Sequence, residues 1–401
     1  MEEERNIAVS HGKHRRREPP WALGQRPSLD GLRAIAIIGV LGIHVGARLA
    51  PQYQWFPGGW TGVEVFFVLS GFLITSLLIE ENDRSRISLH GFYRRRIFRL
   101  WPALWLFVAA DMLYNAWVHW LTPRSWEAAG LTLAWGGNFA LERGMDMYNL
   151  SHLWTLGIEE QFYLLWPLAL IFLLSRHRLA VPIGISAVCL GWFLYIHSTT
   201  NLATMSIPEP AVVGLLMGSL LGWAMHRGFS NGRWSRVLAF PAIAYLLAVY
   251  FVIPSTGAWF QGTGIYLLEI ATVVLLLACL DSGFFVKVFG WAPVRWIGRI
   301  SYSLYLWHYL VLGVVITLWP HDQGLGLAMV GIVASFVVAS ISYYCVERPF
   351  VRYGHRQSGR ADNARTSEIE PTAHVSPALS VAEPNFESST ENAPSRPTGI
   401  L

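Results

Sequence analysis

Charged residues are scarce in this sequence: 14% of its 401 positions are Asp, Glu, Lys or Arg, where water-soluble domains carry about a quarter. That deficit excludes a chain folded in water over most of its length. Lysine is nearly absent, with only Lys13 and Lys287 among 30 basic residues. The net charge of +4 rests almost wholly on arginine, a usage bias that does not argue for a nucleic-acid partner. Cysteine is sparse too. Cys189, Cys279 and Cys345 all fall in apolar runs, lack metal-ligand spacing, and read as small hydrophobes rather than metal ligands or a disulfide framework. No repeat of fixed period is present. A cleavable signal peptide is not expected, because the first 26 residues are polar and the first apolar run is a full span.

What is present is apolar sequence. Hydrophobic residues make up 53% of the chain, 19 positions are Trp, and the mean hydropathy is +0.38. Runs near 20 residues long recur from about Leu32 to Cys345, each able to cross a hydrocarbon core roughly 30 Å thick. The sequence predicts an all-α, polytopic membrane bundle of about ten transmembrane helices, at about 31–49, 60–80, 97–120, 152–174, 179–197, 207–226, 235–253, 263–280, 303–319 and 326–346. It divides into a basic cytoplasmic tail (1–27), a membrane domain (28–353) and a Ser-, Pro- and Glu-rich tail (354–401), whose composition predicts disorder.

Loop charges orient the bundle, since cytoplasmic loops carry the excess of Lys and Arg. With ten spans and both termini cytoplasmic, the inner loops hold clusters such as Arg94, Arg95, Arg96 and Arg99, or Lys287, Arg295 and Arg299; the outer loops hold only Arg48, Arg124 and Arg143. A weak apolar segment at about 127–141 carries Gly136, Gly137 and Asn138. If it also spanned, the bias would reverse, so it is expected to be re-entrant or interfacial on the outer side.

Ionisable residues inside spans are costly and usually face the bundle interior. The first span holds Arg33 and His44. Eleven residues return to nearly the same helix face, roughly 16 Å further along, so Arg33 lies at the cytoplasmic boundary and His44 in the outer half. An imidazole there is either a general base or an interhelical hydrogen bond. Glu64, near the start of the second span, is expected at a depth similar to His44, either orienting it as a triad carboxylate does or snorkelling to the interface. Ser70 and Gly71 read as small residues for close helix packing. Arg95 and Arg99 lie one helical turn apart, a fork suited to the phosphates of coenzyme A; from the residues alone, positive-inside topology and lipid headgroup contact are the preferred reading.

Glu159 and Glu160 open the fourth span side by side, pointing about 100° apart. One is expected near His44 and Glu64, the other on an arginine; a polar network that only holds helices together is the plainer reading. His308, in the ninth span, is expected nearer the cytoplasmic side, either structural or lining a donor tunnel. Asp111 and Glu269 are further intramembrane acids without an evident partner, and Glu347-Arg348-Pro349 closes the last helix.

Several of these segments resemble the acyltransferase-3 family of integral-membrane O-acyltransferases. The matching pieces are Leu29-Asp30-Gly31-Leu32-Arg33 with His44, Val65 to Ile74, Arg95…Arg99-Leu100-Trp101-Pro102, Leu153-Trp154-Thr155-Leu156 with Glu159 to Tyr163, Ser301 to His308, and Val346-Glu347-Arg348-Pro349. They occur in family order over about 28–353. The resemblance implies a ten-helix bundle, acyl-CoA as a cytoplasmic co-substrate with no permanently bound cofactor or metal, and transfer of an acetyl or short acyl group to a hydroxyl of a carbohydrate, glycolipid or macrolide-type acceptor. It implies essential roles for Arg33 and His44 and donor binding by Arg95 and Arg99. The second-span acid is usually Asp in that family, whereas here it is Glu64. The residues taken together give His44, Glu64 and Glu159 as the expected catalytic set, and Arg33, Arg95, Arg99, Glu160 and His308 as the donor- or substrate-binding set. The rival reading is a transporter or flippase with buried charges on the substrate path, against which no inverted repeat or pair of broken helices stands out.

Overall fold

A computed structural model describes residues 22–354, apart from 85–86, most of 177–207, 230–231, 254–256, 258 and 282, together with 356. The expected N-terminal tail lies outside the described residues up to position 21, and the expected C-terminal tail lies outside them except for Gly354 and Arg356.

Among the described residues the regular structure is all helix. The main helices are α1 (Pro27–Leu49), α2 (Gly62–Arg84), α3 (Leu89–Val118), α4 (Pro123–Leu133), α5 (Gly137–Glu142), α6 (Trp154–Arg176), α7 (Pro208–His226), α8 (Arg233–Phe251), α9 (Ile265–Leu280), α10 (Phe284–Phe289), α11 (Ala292–Arg299), α12 (Ser301–Leu318) and α13 (Leu325–Ser342). Local chemistry sets the ends. Pro27 opens α1, where its missing N–H costs nothing, and Pro51 follows its last turn. Ser88 caps α3 by accepting from the Gly91 amide. Thr122 and Ser125 form a reciprocal capping box on α4.

Among the described residues, seven segments are long and apolar enough to cross a membrane: α1, α2 with its leading turn, α3, α6 with its leading turn, α8, α12, and α13 with its extension to Gly354. Two shorter apolar helices, Ala211–His226 and Ile265–Leu280, occupy the expected sixth and eighth spans. Most of the expected fifth span lies outside the described residues. The chain is thus a multi-pass membrane protein. The segment at 127–141 forms α4 and part of α5, 11 and 6 residues long. At about 1.5 Å per residue neither reaches across a bilayer.

Lipid-facing and interior sides are plain from burial. Trp105, Leu113 and Trp117 of α3 and Val333, Val337 and Ile341 of α13 are exposed, as apolar side chains are where hydrocarbon is the solvent. α1 is the axis of the interior, with Leu32, Ala34, Ala36, Ile37 and Val40 buried, and it packs on α2, α9, α11, α12 and α13. A close crossing joins α2 to α7. A Cβ on Gly71 would stand 1.9 Å from the Leu215 carbonyl oxygen, and one on Gly218 would stand 2.0 Å from that of Val68. Glycine at both positions lets the two backbones meet directly.

The connection from α1 to α2 corrects one expectation. Residues 50–61 fold back along α1 instead of capping it. A Cβ on Gly59 would meet the Gly39 carbonyl oxygen at 2.2 Å, and one on Gly62 that of Ala36 at 2.3 Å. α2 therefore starts beside the middle of α1, and Glu64 enters the bundle well below the level of His44. The two were expected at one depth because the sequence does not show which way a twelve-residue connection runs.

Candidate active site

Three layers of polar residues run along the bundle axis from its arginine-rich end. The first is a cavity of about 200 Å³ between α1, α2, α3, α6 and α12. Arg33, Arg96 and Arg99 give it positive charge; Ser70, Glu159, Tyr163 and Tyr302 add polar atoms; and Phe66, Leu73 and Leu77 make one wall apolar. Arg33 is held by Asp30 at 2.8 Å. Arg96 donates from Nε and Nη2 to Glu160 at 3.2 and 3.1 Å and lies 3.5 Å above the Tyr163 ring. Glu159 accepts hydrogen bonds from the hydroxyls of Ser70 and Tyr163. Beyond Arg99, within electrostatic reach, stands Glu347. Its carboxylate accepts from Ser303 at 2.9 Å, and the π-helical turn Tyr343–Glu347 turns it inward.

The second layer is a group of three histidines. His308 Nδ1 faces the carbonyl oxygens of Leu304 and Tyr305 at 3.0 and 2.8 Å, so that nitrogen carries the proton. His308 Nε2 then accepts from His44 Nδ1 at 3.0 Å. With its Nδ1 proton so committed, neutral His44 keeps Nε2 as its acceptor. His152 donates through Nε2 to the Tyr305 carbonyl at 3.0 Å, its ring 5.1 Å from that of His308. Tyr305, which lines the cavity, bonds Thr155 and the His152 carbonyl through its hydroxyl.

The third layer is an open cleft of about 390 Å³ at the opposite end, lined by Arg48, Tyr309, residues near the end of α3, and the stretch Leu141–Ser151. His44 meets Tyr309 edge-on, with centroids 5.1 Å apart. The histidines thus lie between two cavities, touching the wall of each.

These positions revise several expectations. His44 and His308 meet, so His308 sits at the level of His44; it does not itself line the arginine-rich cavity but bonds the carbonyl of Tyr305, which does. Neither Glu64 nor Glu159 is a partner of His44. Glu159 lies seven residues beyond His152, roughly 10 Å toward the arginine-rich end. Glu64 is buried near Glu269 and its carboxylate has no hydrogen-bond partner among the described residues, while that of Glu269 meets the Gly214 backbone. Both acids meet one arginine: Arg96 lies 3.1 Å from Glu160 and 3.8 Å from Glu159. The expected Arg95–Arg99 fork is replaced: Arg95 pairs with Glu81 at 2.8 Å and does not line the cavity, whereas Arg96 does. Arg33 and Arg99 also line the cavity.

Sequence reasoning missed Arg96, His152, Tyr163 and Tyr309. Arg96 was hidden in a run of three arginines whose facing could not be assigned. His152 sits in the turn Tyr148–Leu153 ahead of α6, where a histidine reads as interfacial.

The chain is thus a multi-pass helical membrane protein that encloses a cationic cavity and a buried histidine group. The chain belongs to the acyltransferase-3 family: that family's profile, described as an acyltransferase domain, matches residues 26–344. It is 31% identical over 354 residues to the O-acetyltransferase OatA of Staphylococcus aureus, covering 82% of this chain and 58% of the relative. It is 30% identical over 393 residues to the putative peptidoglycan O-acetyltransferase YrhL of Bacillus subtilis, with 87% and 59% covered. The peptidoglycan O-acetyltransferase OatA of Listeria monocytogenes is 27% identical over 354 residues, with 82% and 56% covered. The chain therefore spans somewhat over half the length of these relatives. No solved structure matches it.

Proposed function

We propose that this protein is a membrane O-acyltransferase that moves an acetyl or short acyl group from acyl-CoA to a carbohydrate hydroxyl. The observation that carries this reading is the His44–His308 hydrogen bond, which leaves a basic nitrogen in a water-poor interior between two cavities. Family membership and three O-acetyltransferase relatives support the reaction class.

The donor enters at the arginine-rich end, taken as cytoplasmic on the loop charges. Arg33, Arg96 and Arg99 suit the phosphates of coenzyme A, because guanidinium binds phosphate through paired N–H groups. A cavity of about 200 Å³ is smaller than the roughly 300–1,000 Å³ of pockets that enclose drug-sized ligands. It therefore suits the slim thioester-bearing arm, leaving the nucleotide at the mouth. The apolar wall of Phe66, Leu73 and Leu77 takes the acyl group and excludes water from the thioester.

In direct transfer, His44 Nε2 removes the proton of the acceptor hydroxyl while its oxygen bonds to the thioester carbon. The C–S bond breaks, and the coenzyme A thiolate takes up the proton. The position of the histidines between two cavities favours a second, stepwise version. His44 Nε2 attacks the thioester carbon and the C–S bond breaks, giving an acyl-imidazolium whose Nδ1 proton stays hydrogen-bonded to His308 and a thiolate that takes a proton from water on the donor side. The acceptor oxygen then bonds to the acyl carbon from the far side, the C–N bond breaks to return neutral His44, and the hydroxyl proton passes to water in the open cleft. In both, His308 holds the His44 ring and its tautomer. Purified protein given radiolabelled acetyl-CoA and un-O-acetylated peptidoglycan fragments should label the glycan, and His44→Ala should abolish labelling. Undiminished labelling by that variant refutes both versions.

A further inference from the structure

We propose that the cleft at the end remote from the arginine-lined cavity is the acceptor site, and that it takes the neutral, hydroxyl-rich face of a sugar; this rests on the transferase reading above. The cleft touches the histidine layer directly. Tyr309 lines it and meets the rings of both His44 and His152, with His152 stacked at 5.0 Å and 22°. Tyr309 is thus at once part of the cleft wall and a ring neighbour of His44.

Its chemistry differs from that of the donor cavity. The only arginine in its lining, Arg48, has its guanidinium 3.6 Å from the Tyr309 ring centroid and donates to the Tyr309 carbonyl at 3.1 Å. It is thus engaged, not poised as one of a cationic cluster for phosphate. The rest of the lining includes tyrosine rings, Tyr114, Tyr148 and Tyr309, and the amides Asn115 and Asn149, beside His119, Asp146 and Ser151. Aromatic faces against which apolar C–H surfaces lie, together with a few fixed polar groups, are what orient a neutral polyhydroxyl ligand.

The amides are fixed from behind. Asp111, buried beneath the cleft, accepts from Asn115 Nδ2 at 2.9 Å and from Asn149 Nδ2 at 3.2 Å. Asn115 Nδ2 also donates to the Asp111 carbonyl oxygen at 2.9 Å. Both N–H groups of Asn115 are then used, and its Oδ1 remains as an acceptor. An acceptor held in one orientation selects a donor, which a hydroxyl supplies and a phosphate dianion does not. This gives the intramembrane acid Asp111 a role as a positioning residue. Tyr148 adds a second sign of a built site. Its φ is +49°, a left-handed conformation that is costly for a bulky side chain, and Asp146 Oδ1 sustains it by accepting the Tyr148 amide at 2.9 Å.

The test measures glycan and donor binding separately on the purified full chain in detergent, by calorimetry, with a soluble un-O-acetylated peptidoglycan fragment and with acetyl-CoA as probes. Tyr148→Ala and Asn115→Ala should each weaken glycan binding by about ten-fold or more, the scale of one lost buried contact. Acetyl-CoA binding should stay within about two-fold, which also shows that the variants are folded. Wild-type protein that does not bind the glycan, or variants that bind it as tightly as wild type, overturns the assignment. Glycan binding that depends on Tyr148 and Asn115 in a protein that binds no acetyl-CoA upholds the cleft and defeats the transferase reading instead.

Discussion

Replacing Arg96 tests the arginine-lined cavity as a coupled structure. The guanidinium is 12% exposed and the Glu160 carboxylate 9%, so the pair is largely desolvated, and Arg96 also lies 3.8 Å from Glu159. Arg96→Met leaves Glu160 as an uncompensated buried charge. Removing one partner of such a pair costs about 3–5 kcal/mol. Glu160→Gln leaves the guanidinium with Glu159 at 3.8 Å and the Tyr163 ring, and should cost less, on the order of 1–3 kcal/mol. The double variant removes both charges, and its loss should fall short of the sum by about 1–3 kcal/mol, as in residues of one network. Reversible unfolding in mixed detergent micelles supplies the four stabilities. Additive losses within about 0.5 kcal/mol would refute the coupling and with it the cavity wall as described.

Three other substitutions give contrasting outcomes. Arg99→Ala should raise the acetyl-CoA KM by about ten-fold or more, the scale of a lost charge-assisted contact; Arg95→Ala should change it by no more than about two-fold, since Arg95 is occupied by Glu81. His308→Phe removes the partner of His44 Nδ1 and should lower kcat by roughly 10²-fold, in line with loss of an aligned general base, with donor KM nearly unchanged; His308→Gln, whose side-chain oxygen can accept from His44, should restore part of the rate. Gly71→Val drives a side chain into the Leu215 carbonyl and should destabilise the fold by about 1–3 kcal/mol, read as a lower midpoint in detergent melts.

Much of the fold was legible because a membrane span is set by a length of apolar sequence, and α1, α2, α3, α6, α8, α12 and α13 follow such runs. The depth of His44 relative to Arg33 followed from helical rise alone. The partners of His44 did not. Its neighbour proved to be His308, which a sequence cannot register against it, because the relative height of two helices depends on the loops between them. The same uncertainty misplaced Glu64, whose entry depth is set by the fold-back of residues 50–61 along α1. The choice between Arg95 and Arg96 was decided by Glu81, at the far end of α2, drawing Arg95 away from the cavity. Glu159 and Glu160 were expected to serve different partners, but both reach Arg96, Glu160 through hydrogen bonds and Glu159 at 3.8 Å while it accepts from Ser70 and Tyr163.

The most direct measurement uses proteoliposomes in which the protein is oriented one way, acetyl-CoA carrying a labelled acetyl group is confined to the face bearing the arginine-rich loops, and glycan fragments are supplied only on the other. Label should appear in the glycan across the intact bilayer, and His44→Ala should leave it at background. Labelling only when donor and glycan share one face, or equal labelling by the variant, would contradict acyl passage through the histidine layer.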